Sequence, residues 1–157
     1  MKIKLIVVGK TDEKCLEQLI NKYYKRLHSF VSFEEIIIPD IKNAKKLSAT
    51  EQKDKEAKLI LNKIEKNDFV ILLDEKGKEF TSVEFAGYLQ KRMNSGLKNL
   101  LFIIGGPYGF SDEVYARANQ KIALSKMTFS HQLIRLIFAE QLYRAFTIIN
   151  HHPYHHE

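Results

Sequence analysis

Charge and proton-transfer capacity concentrate near the C-terminus, at His131, Arg135, Glu140 and Arg144. They interrupt an apolar run that includes Leu133, Ile134, Leu136, Ile137, Phe138, Ala139 and Leu142. As a helix this run is apolar almost all round, which places it in a core or a subunit interface. Buried charges persist only with partners, so these positions have a purpose. His131–Arg135 and Glu140–Arg144 are both i,i+4 pairs and share faces. The spacing predicts a structural Glu140–Arg144 pair and leaves His131 and Arg135 at the helix entrance to touch a substrate. Four of the six histidines follow in the tail His151-His152-Pro153-Tyr154-His155-His156-Glu157. Pro153-Tyr154 interrupts what would otherwise read as an affinity tag. Tyr and His side chains stack on unpaired RNA bases and hydrogen-bond to them.

Two glycine segments invite a phosphate-binding reading. Gly9-Lys10-Thr11 has the end of a phosphate-binding loop, but the glycine required five residues earlier is replaced by Lys4. One glycine does not build a cradle of backbone N–H groups, which excludes nucleotide hydrolysis. Gly105-Gly106-Pro107-Tyr108-Gly109 does not match the dinucleotide fingerprint. It does place two adjacent glycines at a strand's carboxyl end, where ligands of open α/β sheets bind. An ordinary tight turn is the equal alternative. A third loop, Ser125-Lys126-Met127-Thr128-Phe129-Ser130, also leaves a strand and enters a helix. With the turn after Leu73, three loops meet at one sheet edge. They offer backbone polar groups and apolar walls, which suit a neutral heteroaromatic ring such as adenine.

The elements that must position these residues alternate. Apolar runs predict strands over 3–8, 33–38, 69–73, 100–104 and 121–124. Helices are expected from Thr11 or Asp12 to about Phe30, from Ser48 to about Lys66, from a Ser82 cap to about Asn94, over a short stretch after Ser111, and from Ser130 to about Ile149. In the first helix Cys15, Leu16, Leu19, Ile20, Tyr23 and Leu27 form the expected inner face, with Cys15 a small buried apolar residue. Residues 41–46 and 74–78 read as loop and turn. The pattern is α/β, with a mostly parallel sheet of five to six strands, flanking helices and right-handed crossovers. The 157 residues suit a single domain, 1–157.

Composition narrows the classes further. One cysteine excludes an intrachain disulfide, and no cysteine cluster builds a zinc site, so no metal is expected. No apolar run reaches the ~20 residues of a membrane span and no signal-peptide pattern opens the chain, so a cytoplasmic protein is expected. The net charge is +6, with 15 Lys+Arg against 10 Asp+Glu in residues 1–66. That excess favours a polyanionic partner. Lys22, Lys25, Arg26, Lys42, Lys45 and Lys46 are the expected phosphate contacts.

Several segments together resemble the RlmH family of the SPOUT methyltransferase superfamily. They are Leu72-Leu73-Asp74, Phe102 through Gly109, Leu124 through His131, Glu140 through Ala145, and Asn150 through His155. The opening Met1-Lys2-Ile3-Lys4-Leu5 and the overall length agree, and the doubled histidines at 151–152 and 155–156 depart from the pattern. The resemblance implies a C-terminal trefoil knot, a homodimer, and S-adenosylmethionine bound bent in the knot loops. It implies methylation at N3 of a pseudouridine in 23S ribosomal RNA on the assembled ribosome. Cofactor contacts carried over by motif are Leu73, Gly105, Gly106, Ser125, Lys126, Met127, Thr128, Phe129 and Ser130. Tyr154 and His155 would complete the substrate site, with His131, Arg135 and Arg144 as the other catalytic candidates. A transfer-RNA methyltransferase of the same superfamily and a non-catalytic RNA-binding module are the alternative readings.

Overall fold

Hydrophobic alternation sets the architecture, and a computed structural model describes residues 1–156. The order is β1 (Lys2–Val8), α1 (Lys14–Leu27), β2 (Ser32–Ile38), a 3-10 turn (Ala44–Lys46), α2 (Ala49–Leu61), β3 (Asp68–Glu79), α3 (Ser82–Asn94), β4 (Asn99–Ile104), α4 (Asp112–Arg117), β5 (Gln120–Ala123) and α5 (Leu133–Ile149). The five strands form one sheet in the order β2-β1-β4-β3-β5, every neighbouring pair parallel. Both faces are covered, as parallel sheets require.

Period-two alternation divides the apolar residues between two cores. Leu5, Val7, Ile71, Phe102 and Ile104 face α1, α3 and α5, where Leu27, Leu89, Phe138 and Phe146 meet them. Ile6, Val8, Leu72, Leu101 and Ile103 face Ala57 and Ile60 of α2 and Val114 of α4. Lys4, the residue that breaks the phosphate-loop pattern, is buried and paired with Asp68 at 3.2 Å and Glu65 at 3.1 Å.

Helix ends follow side-chain capping. Ser48 caps α2 in a reciprocal box with Glu51. Thr81, not Ser82, caps α3, because its hydroxyl accepts from Glu84 N while the Glu84 carboxylate accepts from Thr81 N. Both α1 and α2 stop short of the expected ends, at Leu27 and Leu61. α5 starts at Leu133; Ser130 acts just ahead of it, its Oγ accepting from Leu133 N at 3.1 Å and its carbonyl from Ile134 N.

Two expectations are corrected. Cys15 is exposed and Leu19 is 46% exposed. The buried stripe of α1 runs through Ile20, Tyr24 and Leu27; Leu19 sits about 100° round the helix from it and Cys15 about 150°. The run 74–78 is not a turn between elements: it lies within β3, whose register against β5 shifts between Leu73 and Lys78. Both of those residues pair with Ile122, so the intervening residues bulge out.

Candidate active site

The bulge of β3, the carboxyl end of β4, the loop that follows β5 and the entrance to α5 enclose a cavity of 570 Å³. This is within the roughly 300–1,000 Å³ of small-molecule sites. Leu73, Gly105, Gly106, Ser125, Met127, Thr128, Phe129, Ser130 and His131 all line it. The bulge contributes Asp74, Glu75 and Lys76, and apolar walls come from Ile104, Leu124 and Ile134. Lys126 does not line the cavity; its ammonium lies 3.8 Å from Glu79 at the surface.

The glycines are needed where they stand. Gly106 and Gly109 close a tight turn, with Gly109 N donating to Gly106 O at 3.1 Å and Gly109 at φ +74°. A Cβ on Gly105 would press on the Phe110 ring at 3.1 Å. A Cβ on Gly106 would come within 2.5 Å of the Glu56 carboxylate. The segment is therefore at once a tight turn and a wall of the cavity. Across the cavity, Thr128 Oγ1 donates to Glu75 Oε2 at 2.9 Å, and Ser125 Oγ accepts from Met127 N. The Tyr115 hydroxyl donates to Asp74. Burial, and then Asp74, push that phenol well above its usual range, so it stays protonated. Tyr115, Phe110 and Glu56 were missed from sequence, and only their contacts in three dimensions reveal them.

Arg135 is 1% exposed and does not line the cavity. Its guanidinium donates to Val8 O, to Gly9 O at 2.9 Å and to His131 O at 3.1 Å. Burial lowers its pKa, with Glu35 and Tyr24 opposing. Next to it, Gln132 donates to Lys10 O and accepts from Asp12 N. Together Arg135 and Gln132 stitch the β1 exit to the start of α5. The expected substrate contact at Arg135 is thus replaced by a backbone clamp.

A second polar cluster lies farther along α5. Arg144 donates to Glu140 Oε1 through Nε at 3.0 Å and Nη2 at 2.7 Å. That bond raises its pKa. Arg144 Nη1 lies 3.2 Å from His155 Nδ1, and the guanidinium sits over the Tyr154 ring at 4.9 Å. The Tyr154 hydroxyl donates to Glu140 at 3.1 Å, and its pKa is raised, first by burial. The tail is therefore folded back on its own helix, with Tyr143 edge-on to Tyr154. Ile134, which lines the cavity, is ten residues from Arg144, or about 15 Å along a helix axis. His131 thus belongs to the cavity, and Arg144, Tyr154 and His155 to a separate cluster. Lys22, Lys25, Arg26, Lys42, Lys45 and Lys46 are all exposed, and Arg26 also covers the Tyr143 ring.

A family described as predicted SPOUT methyltransferase matches residues 1–155. The chain is 61% identical to ribosomal RNA large subunit methyltransferase H of Christiangramia forsetii, over 99% of both chains. It is 59% identical to the protein of the same name from Parabacteroides distasonis, over the full length of both. Among solved structures, a probable methylase family protein from Haemophilus influenzae aligns with a TM-score of 0.50 at 11% identity, covering 99% of this chain and 70% of that one.

Proposed function

Given that the chain belongs to the SPOUT methyltransferase family, we propose that it methylates N3 of a pseudouridine in large-subunit ribosomal RNA as a cytoplasmic homodimer, with S-adenosylmethionine as methyl donor. The observation that carries the reading is the single cavity into which all three sheet-edge loops converge. Its apolar walls and backbone polar groups match the adenine ring of that donor, and the glycine wall permits close approach. When bound, the donor supplies the methyl group: the S–CH3 bond breaks, an N3–CH3 bond forms, the sulfonium becomes a neutral thioether, and the N3 proton leaves.

The protein's part is alignment, exclusion of water and disposal of that proton. His131 lines the cavity and is the assigned base. Arg144 can only donate, so His155 Nδ1 accepts and its Nε2 carries the proton. In that state His155 offers a donor to a uracil carbonyl rather than a base. Arg144, held by Glu140, supplies positive charge toward the same carbonyls. The cavity and the tail cluster stand too far apart within one chain to act on one base. A second copy, placing its tail against the first copy's cavity, supplies the missing wall. Leu19 of α1 and Leu133 at the start of α5, 46% and 42% exposed, offer apolar surface for that association.

Incubation with methyl-labelled S-adenosylmethionine and unmodified ribosomes should label large-subunit RNA at one pseudouridine. Label appearing in transfer RNA instead, or nowhere, overturns the proposal.

A further inference from the structure

One buried ionisable group takes no part in the chemistry above. Glu56 of α2 is 3% exposed. Its Oε1 accepts from Gln52 Nε2 at 2.9 Å, one turn earlier on the same helix. Its Oε2 faces Gly106, and a Cβ built there would lie 2.5 Å from Oε2 and 2.9 Å from Oε1. The carboxylate thus stands directly behind the wall of the cavity, with one glycine backbone between. Among the described residues no lysine or arginine pairs with it. Burial raises its pKa, the Gln52 bond opposes this, and the charge acting on it, Asp40, is of like sign and raises it further. Packing alone would be better served by an amide or an apolar side chain, since an unpaired buried carboxylate is costly.

The position acquires a use if the cavity's occupant is a cation that loses its charge in the reaction. The methyl donor carries a sulfonium and the spent thioether does not. The two ligands are otherwise nearly the same shape, so pocket walls distinguish them poorly. In its ionised form the carboxylate places a negative charge in a low-dielectric wall, which separates the two by charge alone. Gly106 is then doubly required, because any side chain there would displace the carboxylate.

We infer that Glu56 is a specificity-determining residue whose carboxylate, buried behind Gly106, biases the cavity toward the sulfonium donor over its thioether product. The inference rests on the assignment of S-adenosylmethionine to this cavity. Its effect is electrostatic and acts through the loop, so Glu56 need not touch the ligand. It serves turnover by favouring exchange of spent cofactor for fresh.

Calorimetric titration of S-adenosylmethionine and S-adenosylhomocysteine into the intact protein, E56Q and E56D tests it. Gln keeps the size and the Gln52 contact but removes the charge, and Asp keeps the charge. In E56Q the donor-to-product affinity ratio should fall on the order of tenfold or more, since at an effective dielectric near 20 a unit charge still acts by a factor of ten at about 12 Å. Product affinity should hold, and E56D should retain most of the ratio. A parallel loss of both affinities, or no change in either, overturns the inference by showing a packing role or none. A titration of the unmodified protein with sinefungin, where a protonated amine replaces the sulfonium, stays decisive if E56Q fails to fold. Sinefungin should bind more tightly than the thioether, and equal or weaker binding overturns the inference. Absence of any binding by the unmodified protein would instead remove the cofactor assignment on which it stands.

Discussion

Arg135 and Arg144 lie nine residues apart on one helix and spend their charge in opposite ways. Arg135 gives its donors to the carbonyls of Val8, Gly9 and His131. Arg144 gives its donors to a carboxylate and a tail imidazole at a partly buried surface. Substituting Arg135 with Met should leave those carbonyls short of donors and cost on the order of 3 kcal/mol. Thermal unfolding should fall by about 10 °C, and donor affinity should weaken because the clamp sets the position of the cavity's His131 edge. Substituting Arg144 with Ala should leave unfolding and donor affinity near normal and reduce kcat on the order of 100-fold. Calorimetry with single-turnover methylation separates the two, and a kcat defect without a stability defect at Arg135 would reverse the assignment. That these arginines had a purpose was legible from charge placed on an apolar helix. Their roles were not. The i,i+4 spacing of His131 and Arg135 suggested two side chains acting together, whereas the contact made is to the His131 backbone.

At the scale of elements, the bulge in β3 shapes the cavity mouth, and Gly77 holds the bulge closed. A Cβ on Gly77 would lie 2.5 Å from both Ile122 C and Ile122 N and 2.7 Å from Ala123 N. These are main-chain atoms that no rotamer change can move. Gly77→Ala should therefore push β5 away from Lys78 and Glu79 and displace the loop that starts at Leu124 and lines the cavity. Donor affinity should drop on the order of tenfold, since one misplaced wall is worth at least that much in positioning. Gly87→Ala is the matched control: it lies inside α3 with open space around it, and should stabilise by about 0.5–1 kcal/mol without touching affinity. Unaltered affinity in the Gly77 variant would mean that the bulge does not set the loop. The strands were legible as short apolar runs, densest in β1 and β4, which are almost wholly buried. The bulge was not, since Asp74-Glu75-Lys76-Gly77-Lys78 has the polarity of a turn and its pairing with β5 is a long-range backbone contact. The α3 cap lay between these cases. Thr81 and Ser82 are both good caps, and the three-residue spacing to Glu84 selects Thr81. The sheet order and the threading of the family's trefoil knot carry no local signal. In the fold the sheet order shows as the parallel pairing of β4 with both β1 and β3.

For the whole molecule the decisive geometry is the distance between cavity and tail. A reacting nitrogen must sit within about 3–3.5 Å of the methyl carbon, and groups about 15 Å apart along α5 cannot both border it. A tail serving its own chain would have to leave Arg144 and Glu140, giving up the ionic and aromatic contacts that hold Tyr154 and His155. A tail serving a second copy can keep them, because α5 then presents the assembled cluster to the neighbouring cavity. Mixing two inactive chains distinguishes these arrangements. One chain ends after Asn150 and retains its cavity; the other carries His131→Ala and retains its tail. Each alone should bind S-adenosylmethionine and fail to methylate. Unfolded together and refolded in equal amounts, half of the dimers are mixed, and each mixed dimer holds one complete site of two. Activity should then recover to about a quarter of the unmodified level, the fraction that two-fold symmetry dictates. If the tail serves its own chain, no mixed dimer contains a complete site and the mixture remains inactive.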